Sequence, residues 1–542
     1  MNRTRRRRVP EGGRPDGPIG PSQFGVERFT IPDVLDQRAE QFGDRTMMSI
    51  GGTPVTFAEM RDRSCAAANL LSDNGVARGD TVALFTATCP EWVYFWLGAA
   101  RIGAVTAAVN IANKDEYLIH ALRLSRAKVV ITDAERLLRL SEVVARVETV
   151  KTTLVIGHSL TDALASASTK TPDDPLGPEE LAALFFTSGT TGPSKAVATT
   201  WHYLFSAAAG VVTAWELQAG DVVWSAMPLF HLSAAPSVLA PLLVGSATVL
   251  SPTFRPSEVW DRVRDCGAAG FAGAGAMVSM LWNQPPDPRD AQLPLRFISA
   301  APISADMYRS VEQRYGARIV TMYGMTEAFP IAFKSVSEEG VPGTSGRVNA
   351  AFDVRIVDGD GRAMPAGSVG EIACRPKSPY VMSDGYIDAA ATGPDIVVAA
   401  HDEWFRTGDL GSLDSGGNLT YVDRVKDSLR RRGENVSSVE VETTVMRHPA
   451  VLEAAAVAIP SELGEDDILV VVTLQPHADF DHADLLDFCS ARMPYFCVPR
   501  YLEVLDEIPK NVIGRVRKDL LRTRGLGDET WDREGHGYIL SR

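Results

Sequence analysis

The stretch from Leu184 to Lys195 constrains the fold more than any other part of the chain. Its apolar start, Leu184-Phe185-Phe186, predicts a buried strand, which breaks into hydroxyl and glycine residues that close on Lys195. Apolar residues with helical spacing follow from His202 to Leu217. Glycines let backbone N–H groups approach phosphate oxygens, hydroxyl groups donate hydrogen bonds, and a lysine supplies a point charge. This order of strand, loop, lysine and helix predicts a polyphosphate-binding loop.

The candidate ligands in this loop are Thr187, Ser188, Gly189, Thr190, Thr191, Gly192 and Lys195. Their spacing differs from the common P-loop pattern GxxxxGK[ST], which argues against a simple nucleotide triphosphatase.

Strands and helices alternate along most of the sequence. Thr81–Thr86 and Lys128–Thr132 have the pattern of buried strands, and Pro90–Ile102 has that of an amphipathic helix. This alternation predicts an α/β fold with largely parallel sheets. A new series of strands and helices starts after Asp423. We expect three parts: a disordered basic tail over 1–25, a large N-terminal domain of stacked sheets with helices over 26–423, and a small α/β C-terminal domain over 424–542.

Composition excludes several classes of function. The 542 residues exceed the size at which one core stops growing, and the net charge of -14 argues against a nucleic-acid binder. The six cysteines are scattered, so neither a disulfide framework nor a zinc site is expected, and reduced thiols fit a cytoplasmic protein. The arginines at the N-terminus precede no apolar segment, and no later segment is apolar for the roughly 20 residues of a membrane span.

Two further motifs carry groups that a nucleotide needs. Tyr323-Gly324-Met325-Thr326-Glu327 follows the predicted strand Arg318–Thr321, and a loop at the end of a strand is where α/β folds place ligands. A tyrosine face stacks on a base, a threonine binds a phosphate oxygen, and a glutamate binds Mg²⁺. In Trp404–Leu410, Asp409 follows a glycine turn, where its carboxylate either accepts from ribose hydroxyls or closes an Asx-turn.

Together these motifs resemble the adenylate-forming superfamily of acyl-CoA synthetases, peptide-synthetase adenylation domains and luciferases. The resemblance covers residues 26 to 520, and Phe271–Pro285 with Arg430–Val436 is most similar to carnitine- and diterpenoid-type CoA ligases. The resemblance implies a C-terminal domain that swings between two orientations.

The same resemblance implies further site residues. Arg424 reaches the ribose together with Asp409, and Lys426 is the hinge between the domains. Gly433 lines the channel for the pantetheine arm of CoA. His231, in Met227-Pro228-Leu229-Phe230-His231, lies at the gate of the acyl pocket.

The implied reaction has two steps. A carboxylate attacks the α-phosphate of ATP, and pyrophosphate leaves on Mg²⁺ held by Glu327. The mixed anhydride then acylates a thiol, usually that of CoA. The expected enzyme is therefore an AMP-forming acid–CoA ligase for a small organic acid, with Thr326, Glu327 and His231 among its catalytic residues. The small side chains of Ala272–Met277 and Ala300 admit an aromatic acid.

One position departs from the family pattern. Pro509–Lys518 aligns with an element whose second lysine bridges the carboxylate and the α-phosphate, and here that position is Arg515. Arginine keeps the charge but presents a planar fork instead of a compact ammonium. Arg515 performs this role, or Lys510 or Lys518 substitutes for it, or the substrate is not an ordinary carboxylate.

Two other functions remain open at this point. The protein could be a natural-product enzyme with a carrier protein or an amine as acceptor, or an ATP-dependent diazotase that adenylates nitrite for coupling to an aryl amine. It could also be an inactive adenylate-binding regulator, against which the intact phosphate loop, Glu327 and Asp409 argue.

Overall fold

Many short strands and helices build the protein, seen in a computed structural model that describes residues 17–172, 176–187, 194–282, 284–301, 303, 305–387, 396–398, 404–424, 428–432, 434–461, 464–509, 516 and 518–540. The strands in these ranges are β1 (Thr46–Ile50), β2 (Thr53–Thr56), β3 (Thr81–Phe85), β4 (Val105–Ala108), β5 (Ala127–Asp133), β6 (Thr152–Ile156), β7 (Leu181–Thr187), β8 (Lys195–Thr200), β9 (Val222–Ser225), β10 (Ala247–Leu250), β11 (Gly270–Ala272), β12 (Phe297–Ser299), β13 (Arg318–Val320), β14 (Met322–Met325), β15 (Ala328–Phe333), β16 (Arg347–Val348), β17 (Phe352–Val357), β18 (Val369–Pro376), β19 (Gly385–Ile387), β20 (Ile396–Val398), β21 (Phe405–Leu413), β22 (Leu419–Arg424), β23 (Ser428–Arg431), β24 (Glu434–Ser437), β25 (Val451–Pro460), β26 (Asp466–Leu474), β27 (Tyr501–Val504) and β28 (Trp531–Asp532). The α-helices are α1 (Gln37–Phe42), α2 (Phe57–Asp73), α3 (Pro90–Arg101), α4 (Asp115–Leu124), α5 (Ala134–Val144), α6 (His158–Ser166), α7 (Trp201–Trp215), α8 (Pro236–Val244), α9 (Pro256–Asp265), α10 (Gly275–Trp282), α11 (Ala305–Tyr315), α12 (Ser438–Val445), α13 (His482–Arg492) and α14 (Lys518–Arg524).

Two large sheets make up most of the body, the name used here for residues 17–424. The first has the strand order β13-β12-β11-β9-β10-β1-β2 and is parallel except for the β1–β2 pair. The second has the order β20-β19-β8-β7-β4-β3-β5-β6 and is parallel from β7 to β6. Parallel strands need crossover connections, and the helices that make them cover both faces of each sheet.

The core of the body lies between these two sheets. In β3, Val82 and Leu84 point into the cluster that α2, α3, α7 and α8 fill, whereas Ala83 and Phe85 point to a second cluster under α4 and α5. The alternation follows from the two-residue period of a strand. Helices α2 and α3 approach closely at Gly98, where a Cβ atom would lie 2.7 Å from the Cβ of Ala67.

Smaller sheets complete the body and carry two of the predicted motifs. The antiparallel sheet β14-β15-β16 contains Tyr323, and the antiparallel sheet β17-β18-β21-β22 contains Asp409. The α/β fold class is confirmed.

The C-terminal part, the name used here for residues 428–540, forms its own small structure. It consists of the hairpin β23–β24 and the sheet β25-β26-β27-β28, covered by α12 and α13 on one face and by α14 on the other. A small C-terminal α/β unit is therefore present, while the boundaries at 25 and 423 stay predictions. In the described ranges, no helix has the length and hydropathy that a bilayer crossing requires.

Candidate active site

The predicted phosphate loop joins two antiparallel strands. Thr187 ends β7, Lys195 begins β8, and the two residues are paired across the hairpin. The helix predicted from His202 to Leu217 is present as α7 (Trp201–Trp215), but the strand that lies between the lysine and this helix was not predicted. Ala196–Thr200 continues as a strand because it completes a ladder with β7, and helix α7 starts only at Trp201. The loop ligands Ser188, Gly189, Thr190, Thr191 and Gly192 lie outside the described residues.

Lys195 and Glu327 both contact Tyr386, a residue that the sequence analysis did not indicate. The Tyr386 hydroxyl donates to Glu327 Oε1 at 2.5 Å, and Lys195 Nζ lies 4.7 Å from the centre of the Tyr386 ring. Glu327 is only 4 % exposed. Burial, reinforced by the Glu327 carboxylate, raises the pKa of Tyr386 well above its ordinary value, so its hydroxyl remains a donor. Nothing in the sequence connects the segment of Tyr386 with that of Glu327.

Helix α7 stabilises the turn at Thr326 and Glu327 by a hydrogen bond. Tyr203, fully buried in α7, donates its hydroxyl to the Thr326 carbonyl at 3.0 Å. Gly324, in β14, leaves room for the returning strand, since a Cβ there would lie 2.8 Å from the Ala328 carbonyl oxygen. The motif therefore forms a strand and a tight turn instead of the predicted loop, because β14 and β15 pair as a hairpin.

Asp409 lies beside Tyr323. The Tyr323 hydroxyl donates to Asp409 Oδ2 at 2.9 Å, and both residues are buried. Burial first, then the negative charge of Asp409, raises the pKa of Tyr323. Asp409 was predicted to follow a glycine turn, and it lies in strand β21 directly after Gly408, whose φ of +76° needs a glycine. Arg424 is the cross-strand partner of Asp409, so the two predicted ribose residues are neighbours.

His231 contacts the C-terminal part. Its Nε2 atom lies 2.9 Å from Glu434 Oε2, and Asn110 Nδ2 donates to the same oxygen at 3.4 Å. Nearby, Lys114 Nζ donates to the Ser490 carbonyl at 2.8 Å. These contacts define what we call the docked arrangement. Glu434 follows the predicted residue Gly433, which lies outside the described residues.

The two faces of the C-terminal sheet are used differently in the docked arrangement. Ala454 and Ala456 point to the face that also packs against Ala112 and Tyr117 of the body. Ile508 and Val516, which flank the predicted cation Arg515, pack on the opposite face. Arg515 itself, Lys510 and the hinge residue Lys426 lie outside the described residues. Lys518 is engaged within the C-terminal part, where its Nζ donates to Ser438 Oγ at 2.8 Å.

The fold and the contacts of these motif residues define the class of the protein as an adenylate-forming ligase. In the hairpin β7–β8, called the phosphate hairpin below, Lys195 contacts Tyr386, which is bonded to the buried Glu327. Asp409, on another sheet, is bonded to Tyr323 of the same motif as Glu327. The chain belongs to the AMP-binding enzyme family. Residues 35–387 match the model of the AMP-binding enzyme, and residues 440–515 match that of the AMP-binding enzyme C-terminal domain. The predicted ATP-dependent, AMP-forming ligase is thus confirmed.

Relatives with assigned names support this classification. A crotonobetaine/carnitine–CoA ligase of Salmonella paratyphi B is 28% identical over 515 residues, which cover 91% of this chain and 98% of the relative. The amide bond synthetase McbA from Marinactinospora thermotolerans is 25% identical, with a TM-score of 0.79 and 90% and 99% coverage. ATP-bound MatB from Rhodopseudomonas palustris is 26% identical, with a TM-score of 0.67 and 91% and 98% coverage.

Proposed function

We propose that the protein activates a small organic acid with ATP and transfers the acyl group to CoA. The observation that carries this proposal is the continuous set of contacts from Lys195 through Tyr386 to Glu327. It puts a cation and an acid at the end of the phosphate hairpin, where a triphosphate needs charge neutralisation. The 28% identity to a CoA ligase over nearly the whole chain supports CoA as acceptor.

In the first step, the body binds ATP. Lys195 and residues 187–192 hold the phosphates, Thr326 binds a phosphate oxygen, and Asp409 with Arg424 holds the ribose. Tyr323 and Gly324 lie along the base, and burial of Asp409 beside Tyr323 excludes water from its carboxylate. Lys195, Tyr323, Gly324 and Asp409 lie in β-strands, so this part of the site needs little rearrangement.

Glu327 suits Mg²⁺ when ATP is present. Among the described residues, no group of three or more histidine, cysteine, aspartate or glutamate side chains could hold a metal ion on its own. Mg²⁺ in nucleotide sites takes one or two carboxylates plus phosphate oxygens, and one buried glutamate beside the phosphate hairpin fits that donor set. The bound ion would neutralise charge on the leaving pyrophosphate.

The C-terminal part serves both steps by presenting different faces. Arg515 supplies the cation for adenylation, Lys426 is the hinge, and Gly433 lines the channel for the thiol beside His231. The docked arrangement supports this proposal, because the hairpin next to Gly433 contacts His231 while the residues flanking Arg515 pack on the other face. In this arrangement the protein is set for acyl transfer.

A second candidate keeps the adenylation step and changes the acceptor or the acid. The similarity to an amide bond synthetase favours an amine acceptor, and arginine at position 515 admits an oxyanion other than a carboxylate, such as nitrite for coupling to an aryl amine.

The test is a pyrophosphate-release screen with and without CoA. It would use small aliphatic and aromatic acids, and nitrite together with aryl amines. Pyrophosphate release that a carboxylic acid starts and CoA accelerates, with an acyl-CoA product, supports the first candidate. Release that depends on an amine and ignores CoA supports the second, and no release with any acid or nitrite contradicts both.

The cellular setting is also a proposal. We place the protein in the cytoplasm, with small molecules as its partners, because all six cysteines are free.

A further inference from the structure

A carboxylate of the C-terminal part holds the end of the phosphate hairpin. Glu440, in the first turn of α12, accepts the backbone N–H of Ser194 on Oε1 at 2.6 Å. Ser194 directly precedes Lys195 and directly follows the segment 188–193. Burial raises the pKa of Glu440 to about 7, so near neutral pH much of this side chain is an uncharged carboxyl that accepts the bond.

The same peptide is held from its other side by the body. His120 Nε2 lies 2.7 Å from the Ser194 carbonyl oxygen. A carbonyl only accepts, so this ring nitrogen carries the proton and donates. His120 belongs to α4, the helix whose Tyr117 packs against the C-terminal part. Ser194 therefore has its C=O bound by the body and its N–H bound by the C-terminal part.

These two contacts differ in what happens when the C-terminal part swings. The His120 bond lies within the body and persists in any orientation. The Glu440 bond exists only in the docked arrangement. It occupies a backbone donor at the lysine end of the phosphate hairpin, and any ionised fraction of Glu440 repels a triphosphate there.

We propose that Glu440 is a positioning residue that locks the phosphate hairpin to the docked arrangement, so that this arrangement and a bound triphosphate exclude each other. This inference rests on the proposed two-step function. The Glu440–Ser194 bond would link the state of the phosphate site to the orientation of the C-terminal part. Once pyrophosphate leaves, the Ser194 N–H becomes available to Glu440, and this favours the orientation for acyl transfer.

The test measures ATP affinity and acyl transfer separately, at pH 6.5, in the full-length protein. Glu440→Ala removes a bond that only the docked arrangement has, so ATP should bind about threefold to tenfold more tightly by titration calorimetry. Acyl transfer from the pre-formed adenylate should slow by a similar factor. Glu440→Gln keeps an oxygen acceptor of the same shape, so it should show neither the tighter ATP binding nor the slower acyl transfer of Glu440→Ala.

Two controls separate this role from a structural one. Glu529→Ala alters an exposed glutamate of the same part and should change neither quantity. His120→Ala should weaken ATP binding, the opposite sign, because it loosens the hairpin in both orientations.

The inference is overturned if Glu440→Ala leaves ATP affinity unchanged, or if it weakens ATP binding and acyl transfer together. If the alanine variant does not fold, Glu440→Asp shortens the side chain and gives the same test with the same expected signs. Failure of the proposed function looks different, because the wild type itself would then release no pyrophosphate with any acid.

Discussion

The body and the C-terminal part hold their shares of the active site in different ways. In the body, Glu327 and Asp409 are 4 % and 6 % exposed, and each accepts a tyrosine hydroxyl from another element. The C-terminal part reaches the site across an interface where Ala112 and Tyr117 make apolar contacts. Its polar contacts include that between His231 and Glu434, whose side chains are 26% and 11% exposed.

The body thus presents a preorganised surface to the nucleotide, whereas the C-terminal part forms a reversible interface with the body. Buried acids that accept tyrosine hydroxyls keep their geometry without ligand, which is what a site for charge neutralisation needs. A few partly exposed polar contacts form and break at small cost in free energy. The comparison predicts that changes in the body impair nucleotide chemistry, whereas changes in the C-terminal part shift the balance between the two steps.

The largest effect is expected from Arg515→Ala. If Arg515 is the adenylation cation, the variant should lose pyrophosphate release by about 10²–10³-fold, with little change in ATP affinity. Transfer from the pre-formed adenylate should be much less affected, since the docked arrangement uses the other face. Stopped-flow measurement of each half-reaction checks the split.

Arg515→Lys refines this prediction. It should keep or raise activity with a carboxylate, and it should impair activity if a planar guanidinium fork is needed for another oxyanion. Normal adenylation by Arg515→Ala would point to Lys510 or Lys518 instead.

A smaller effect is expected from Tyr386→Phe. The change removes the hydroxyl bond to the buried Glu327 carboxylate and keeps the ring below Lys195. A hydrogen bond to a charged group contributes about 1.5–3 kcal/mol, so pyrophosphate release should fall at least about tenfold. Tyr501→Phe, in the C-terminal sheet, serves as the matched control. An unchanged rate would show that Glu327 does not depend on this contact.

The smallest effect concerns pH. In the docked arrangement the pKa of Glu440 is raised from 4.5 to about 7, so docking is favoured below the ordinary value and this advantage is lost as pH rises through about 7. Acyl transfer should therefore weaken from about pH 5 to about pH 7 relative to Glu440→Gln, and level off above that. Tyr117 and Cys497 also face Glu440, but burial raises the pKa of both well above this range.

His120 is bonded to Ser194, the residue that Glu440 binds. Because Glu440→Gln keeps His120, any effect of its titration is the same in the wild type and the variant. Identical pH profiles of the wild type and Glu440→Gln would remove Glu440 from the switch.

The α/β class was predicted from the sequence and is confirmed. The assignment of Lys195, Glu327 and Asp409 to one nucleotide site was possible because each motif carries its own chemistry, and it stays a prediction. The sequence did not predict β8, because a short run such as Ala196–Thr200 becomes a strand only through its partner β7. It did not indicate that Asp409 lies in a strand, because Gly408 fits either a turn or an irregular strand. Tyr386 and Glu440 were not found, since their partners lie 59 and 246 residues away along the chain and only packing joins them.

The central claim is that one nucleotide is held by all three body residues and that Arg515 joins it only when the C-terminal part leaves the docked arrangement. A crystal structure with a non-hydrolysable ATP analogue and Mg²⁺ tests this directly. We expect Lys195 at the phosphates, Glu327 at the metal and Asp409 within about 3.2 Å of the ribose hydroxyls, with the Glu440–Ser194 bond broken. A nucleotide bound away from Asp409, or bound with the Glu440–Ser194 contact intact, would contradict the account.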